Sequence, residues 1–317
     1  MLALCIESSH SRGMGHFYRA LNLAEGLAQA GLPYIFYLND HEPSIQILVA
    51  RRLRHRVVCL QDQSSNWEAM LIKDDGITLW VNDRLDTDCH HAENVKAKGI
   101  ALVTFDDRGT GAALSDLHVA ALSFDLQEVL EGARILRGAD YLILNPQIRD
   151  CTRVRTQVDS ILVTLGGSDT YGVTVKVVKL LKELGLAATV MVGPAFSHDE
   201  ALNAELTASF TLKRGVPSMI EEYLNHDLAI TGGGITPFEA NASGLPCLVI
   251  ANELFEIPVG MELARLGGSI FVAHHELITS SLFTTNVPIE QLSQAGMRNI
   301  GLQGTQRVIS SMLELFQ

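Results

Sequence analysis

Short apolar runs alternate with longer stretches whose apolar residues recur every three or four positions. That alternation predicts strands interleaved with helices around parallel sheets. In the first half, the segments near 2–6, 33–38, 56–60, 77–82 and 100–105 read as strands, and those near 16–30 and 88–98 as helices. On the first helix Ala20, Leu23, Ala24 and Leu27 share one face, while Arg19, Asn22, Glu25 and Gln29 fall largely elsewhere. Gly31 and Pro33 then end it, as helix C-termini commonly do. Around Asn145–Thr156 the pattern breaks at Pro146 and a cluster of charges, and Ser160–Leu165 opens a second alternation. Strands near 187–192, 209–213, 227–231, 247–250 and 270–272 are separated there by helices near 173–184, 200–207, 217–224, 235–243 and 257–266. The expected fold class is α/β, with two Rossmann-like domains facing across a cleft. The boundary is placed at 150/151: an N-terminal domain of residues 1–150 and a C-terminal domain of 151–317 that also carries the two helical patterns after Val287.

Composition narrows the partners. The 317 residues carry a net charge of −12, and the main basic cluster is Arg51-Arg52-Leu53-Arg54-His55-Arg56. Binding a phosphate backbone requires an extended basic surface, so no nucleic-acid partner is expected. The basic run reads as a solvated helix end, with contact to an anionic acceptor or membrane surface as the alternative. Five scattered cysteines, mostly in apolar runs, indicate neither a disulfide framework nor a zinc site. With no apolar run near the roughly 20 residues of a membrane helix, the expected place is the cytoplasm, with at most peripheral attachment to the inner membrane.

Chemistry gathers where strands end. Gly13-Met14-Gly15-His16-Phe17-Tyr18-Arg19 follows the first apolar run and opens a helix. A Gly-x-Gly turn there is common, and a histidine at a helix start often only caps it. Yet His16 falls where the helix dipole favours the neutral, proton-accepting imidazole. Leu165-Gly166-Gly167-Ser168-Asp169 ends the first strand of the second half and serves equally as a capped turn or an anion contact. In Thr231-Gly232-Gly233-Gly234-Ile235-Thr236-Pro237-Phe238-Glu239, strand, glycines and helix follow in order. Such an N-terminus can hold a pyrophosphate without metal, and Glu239, one turn in, can accept from ribose hydroxyls or simply offset the dipole. Asp86-Thr87-Asp88 has the Asp-x-Asp spacing but reads as a helix cap. His90-His91 and His274-His275 lack metal spacing and read as exposed. No cofactor or required metal is expected.

The segment at 13–19 resembles the Gly-x-Gly-His-x-x-Arg signature of a family that contains the UDP-sugar hydrolase of pseudaminic acid biosynthesis and the spore-coat polysaccharide glycosyltransferase-like proteins. More distantly, the loop order is similar to the peptidoglycan N-acetylglucosaminyltransferase, a GT-B enzyme. Phe105-Asp106-Asp107, Leu165–Asp169 and the Glu239 helix fall in matching order. The resemblance implies His16 as general base at the anomeric carbon of a UDP-sugar. It implies substrate contacts at Gly13, Gly15, Arg19, Asp83, Asp106, Gly166, Gly167, Ser168 and Asn252. It implies nucleotide contacts at Gly232, Gly233, Gly234, Ile235 and Glu239. Two departures stand out: Asn82-Asp83-Arg84-Leu85 replaces the hydrolase branch's Asp-His-Tyr, and Asn252-Glu253 replaces its Asn-Gln. The expected function is inverting transfer of the sugar to a small-molecule or glycan acceptor in surface-glycan synthesis. Hydrolysis with water as acceptor, and a silent sugar-nucleotide binding protein, are the alternatives.

Overall fold

The computed structural model describes residues 1–8, 14–167, 169–193, 195–216, 218–280 and 287–316. Gly13 and Ser168 lie outside the described residues. The chain divides into two compact units: one holds residues 14–143 with the N-terminal strand and the 303–317 tail, and the other spans 144–302.

The first unit contains β1 (Leu2–Ile6), α1 (Gly15–Gln29), β2 (Tyr34–Leu38), α2 (Glu42–Ala50), β3 (His55–Val57), α3 (Trp67–Asp75), β4 (Leu79–Asp83), α4 (Cys89–Lys96), β5 (Ala101–Phe105), β6 (Leu117–Ala120) and β7 (Ile135–Arg137). Its strands pair in parallel in the order β3-β2-β1-β4-β5-β6-β7. Every residue of β1 and β4 is buried, because helices cover both faces of such a sheet and no polar face is needed. Tyr37 and Trp80 stack at 5.3 Å in the core of this unit. The chain reverses its direction of strand addition between β1 and β4, which makes their C-terminal ends the switch point where open sheets receive ligands.

The second unit contains β8 (Ile161–Thr164), α5 (Val173–Glu183), β9 (Ala188–Val192), α6 (Asp199–Glu205), β10 (Phe210–Arg214), α7 (Ile220–Asn225), β11 (Leu228–Thr231), α8 (Thr236–Ala242), β12 (Cys247–Ala251), α9 (Ile257–Leu266), β13 (Ser269–His274) and α10 (Ile289–Asn299). Its parallel order β10-β9-β8-β11-β12-β13 repeats the same logic, with the switch point between β8 and β11.

The division falls between Ile143 and Leu144, a few residues before the expected boundary. The last helix, α11 (Gly304–Leu313), belongs to the first unit. A Cβ on Gly26 of α1 would lie 2.5 Å from the Thr305 methyl group, so glycine permits this close helix contact. The basic run is not simply a helix end: Arg51 closes α2, and His55 and Arg56 belong to edge strand β3. Arg56 pairs there with Asp75 at 2.7 Å. Among the described residues, no helix is long and apolar enough to cross a membrane.

Candidate functional site

In the first unit the switch point gathers four of the expected site residues. His16 and Arg19 lie one turn apart on α1, Asp83 ends β4, and Asp106 follows β5. His16 Nδ1 lies 2.5 Å from Asp83 Oδ1 and 3.2 Å from Arg19 Nη2. Arg19 donates to the same carboxylate from Nε at 2.8 Å and from Nη2 at 2.6 Å. Its Nη1 reaches Asp106, and its Cζ lies 5.2 Å from the Phe105 ring centroid. Asp106 adopts φ +44, a conformation non-glycine residues rarely hold, and its Oδ1 accepts from the Leu122 amide at 3.1 Å.

The electrostatics follow from this chain of charges. Burial raises the Asp83 carboxyl, but the Arg19 guanidinium and then His16 outweigh it and hold the carboxyl down to about 2. Burial likewise opposes the Arg19 charge, and Asp83 and Asp106 overcome that. An ionised Asp83 selects the His16 tautomer with hydrogen on Nδ1, leaving Nε2 as the proton acceptor. Arg19 and Asp83 are 6% and 3% exposed, and their polar atoms are spent on each other, on His16 and on Asp106. This arrangement holds the His16 ring in place. Gly15 is exposed at the helix start.

A second polar layer lies beneath. The Trp80 indole N–H donates to Asn82 Oδ1 at 2.9 Å, and Asn82 Nδ2 donates to Thr87 Oγ1 at 3.2 Å. The Thr87 hydroxyl in turn donates to Asp107. Asn82 and Asp107 directly flank Asp83 and Asp106, so this layer fixes the strand ends that carry them. His91 is 4% exposed, not the surface residue expected, and its Nδ1 meets Glu68 Oε1 at 2.8 Å. Asp88 caps α4 through the amides of His90 and His91. Among the described residues, no three His, Cys, Asp or Glu side chains converge on a metal position.

In the second unit the expected loops lie at the ends of β8, β11 and β12. Gly166 has φ +102, and a Cβ on Gly193 would collide with the Gly167 backbone, so these loops pack tightly through glycine. Asp169 caps α5, accepting from Val173 N at 2.7 Å and Thr174 N at 2.8 Å. The Gly233 amide, expected to face the nucleotide, donates to Glu256 Oε2 at 3.2 Å. Glu256 also accepts from Asn252 N at 2.7 Å, and Asn252 Nδ2 donates to Leu165 O at 3.2 Å. Asn252 and Glu256 therefore tie the three loops together. A Cβ on Gly232 would lie 2.7 Å from Asn252 Nδ2, whereas one on Gly234 meets nothing within 4 Å. Gly234 is therefore the glycine of this loop with room beside it, and half-buried Ile235 follows it and precedes the first turn of α8.

Glu239 stands one turn into α8. Its Oε1 accepts from the Asn145 amide at 3.2 Å and its Oε2 from the Tyr223 hydroxyl at 3.0 Å. Burial raises its carboxyl, and those two donors work against the rise. An ionised carboxylate has about four lone-pair sites, so two donors orient Glu239 and leave acceptor capacity for vicinal hydroxyls. Sequence reading missed Tyr223 and Asn145, because nothing in the spacing of 145, 223 and 239 marks them as neighbours.

No protein-family model matches the chain. It is 26% identical to the spore coat polysaccharide biosynthesis protein SpsG of Bacillus subtilis, over 98% of this chain and 97% of that one. MurG of Acinetobacter baumannii superposes with a TM-score of 0.67 at 14% identity, covering 99% of both chains. The S. aureus MnaA–UDP co-structure superposes with a TM-score of 0.68 at 13% identity, over 99% of this chain and 97% of that one. The fold is that of GT-B glycosyltransferases.

Proposed function

We propose that this GT-B-fold chain, alike over its full length to a spore-coat polysaccharide protein, is a UDP-sugar-dependent glycosyltransferase of surface-polysaccharide biosynthesis. The single observation that carries the reading is the His16 Nδ1–Asp83 Oδ1 hydrogen bond of 2.5 Å, which leaves Nε2 as a general base at a sheet switch point. The second unit supplies the donor site. Glu239, held by Tyr223 and Asn145, accepts from the ribose hydroxyls, and the Gly234–Ile235 backbone with the start of α8 meets the diphosphate. The likeness to a UDP-bound structure supports that assignment. Gly166, Gly167 and Asn252 shape the loops around the donor, and Arg19, Asp83 and Asp106 position the base.

The step is one displacement. An acceptor hydroxyl oxygen bonds to the anomeric carbon while the anomeric C–O bond breaks and its electron pair leaves on UDP. The hydroxyl proton goes to His16 Nε2, and attack opposite the leaving group inverts the anomeric centre. General-base help of this kind is worth about 10²- to 10⁴-fold, and amides at a helix start stabilise charge developing on the diphosphate. In His16→Ala, turnover should fall by about 10²-fold or more while UDP affinity, read by calorimetry, stays within about threefold, or 0.7 kcal/mol. Parallel loss of both would reject His16 as the base.

A further inference from the structure

A cavity of about 400 Å³ opens in the first unit, lined by Glu7, Asn39, Asp40 and residues 57–61. It lies at the C-terminal ends of β1, β2 and β3. Ile6 stands opposite both Leu38 and Asp83, and Leu38 stands opposite Val57. Glu7 is thus one residue beyond the level of the carboxylate that holds His16. Arg84, the residue after Asp83, donates to Leu60 O at 3.3 Å and lies 3.9 Å from Glu7 Oε2. Successive residues of one strand end therefore serve the base and the cavity wall. Asn39 braces the rim by exchanging hydrogen bonds with the Ser8 backbone, both at 2.8 Å.

We propose that this cavity is the acceptor subsite, and that it takes a saccharide-type polyhydroxyl molecule, neutral or amine-bearing, in preference to an anionic one. The proposal rests on the transferase reading above and gives its acceptor a chemical class. Small-molecule sites occupy about 300–1,000 Å³, whereas one water needs only about 10–15 Å³ on this measure, so the space is that of a small molecule and not of a single water. Asp40 presents an exposed carboxylate, Glu7 a second one that Arg84 partly offsets from behind the wall at 3.9 Å, and none of the residues named as lining the cavity is Lys, Arg or His. Carboxylates accept from hydroxyl and ammonium donors and repel phosphate or carboxylate groups. Gln61 adds an amide that both donates and accepts, and Val57, Val58 and Leu60 offer apolar surface to the C–H face of a sugar ring.

Cys59 makes the test direct, because it lines the cavity and is exposed, whereas Cys5, Cys151 and Cys247 are buried and Cys89 is half-buried. Alkylation by iodoacetamide, followed at Cys59 by peptide mass mapping, is run on the whole protein without any donor. Glucosamine, N-acetylglucosamine and glucose 6-phosphate are the probes. Glucosamine and N-acetylglucosamine should slow the reaction saturably, about twofold at half-occupancy, and glucose 6-phosphate should not. Asp40→Lys, at an exposed position, should bring in protection by glucose 6-phosphate. Absence of protection by both phosphate-free sugars, or equal protection by glucose 6-phosphate in the wild type, overturns the proposal. Because no donor or turnover enters the assay, protection in a chain that never turns over a UDP-sugar would keep the saccharide site and reject the transferase reading.

Discussion

Asp83→Asn tests the hold on the base most sharply, because the substitution keeps the shape of the side chain and removes its charge. In the native chain one carboxylate accepts from His16 Nδ1 at 2.5 Å and from Arg19 at 2.6 and 2.8 Å. An amide has one oxygen for these three donors, and its NH₂ group must face either His16 or Arg19. Facing His16, it demands the tautomer with hydrogen on Nε2 and abolishes the base. Facing Arg19, it sets donor against donor. Losing general-base catalysis costs about 10²- to 10⁴-fold, or about 3–5 kcal/mol of barrier at 1.36 kcal/mol per decade. Stability falls as well: breaking a buried ion pair costs about 3–5 kcal/mol. Asp106 still pairs with Arg19, so roughly half of that, about 2 kcal/mol, is the expected loss. UDP release over time, UDP affinity and a thermal melt give the three readouts. Turnover within about threefold of wild type in a folded Asp83→Asn protein would refute that role for Asp83, since even the weakest general-base contribution is about 10²-fold.

Further outcomes follow from the same contacts. Tyr223→Phe removes one of the two donors that orient Glu239, so UDP should bind about 5- to 10-fold more weakly, the value of one hydrogen bond of about 1 kcal/mol; Glu239→Ala should weaken it further, and calorimetry checks both. Asp83 also makes stability depend on acid: its carboxyl is depressed from 3.8 to about 2 in the fold, so its contribution is complete above about pH 4 and is lost as pH falls through 2. Denaturant midpoints measured from pH 5 to 2 should drop more steeply for wild type than for Asp83→Asn. In Gly233→Ala the new methyl group would stand 2.6 Å from Glu256 Cβ, so the protein should lose about 1–3 kcal/mol, read from its melting temperature.

The strands and helices that could be read from the chain are those with a one-sided or fully apolar pattern. β1 and α1 are of this kind, as are the strand–glycine–helix units around 166 and 232. The missed elements lack such a pattern for identifiable reasons. α2 buries only Ser44 and Leu48, and α3 buries Glu68 among its apolar residues. β6 contains buried His118, and β7 is a three-residue edge strand with one buried side chain. The candidate site residues divide in the same way. His16 and Glu239 were legible because glycine loops and helix starts announce them. Arg19 falls off the apolar face of α1, yet it is buried because Asp83, sixty-four positions later, neutralises it. His91 is buried for the same kind of reason, its partner Glu68 lying on another helix. Burial of polar groups depends on partners brought together by the fold, and local periodicity carries no trace of them.

The most direct test of the central claim is a mass-spectrometric time course of the purified protein with a panel of UDP-sugars, with and without saccharide acceptors, beside His16→Ala. The account predicts UDP together with a glycosylated acceptor of inverted anomeric configuration, formed only when acceptor is present and absent from the His16→Ala reaction. Release of free sugar and UDP at the same rate without acceptor would contradict it in favour of hydrolysis, and undiminished turnover by His16→Ala would remove the base on which the account stands.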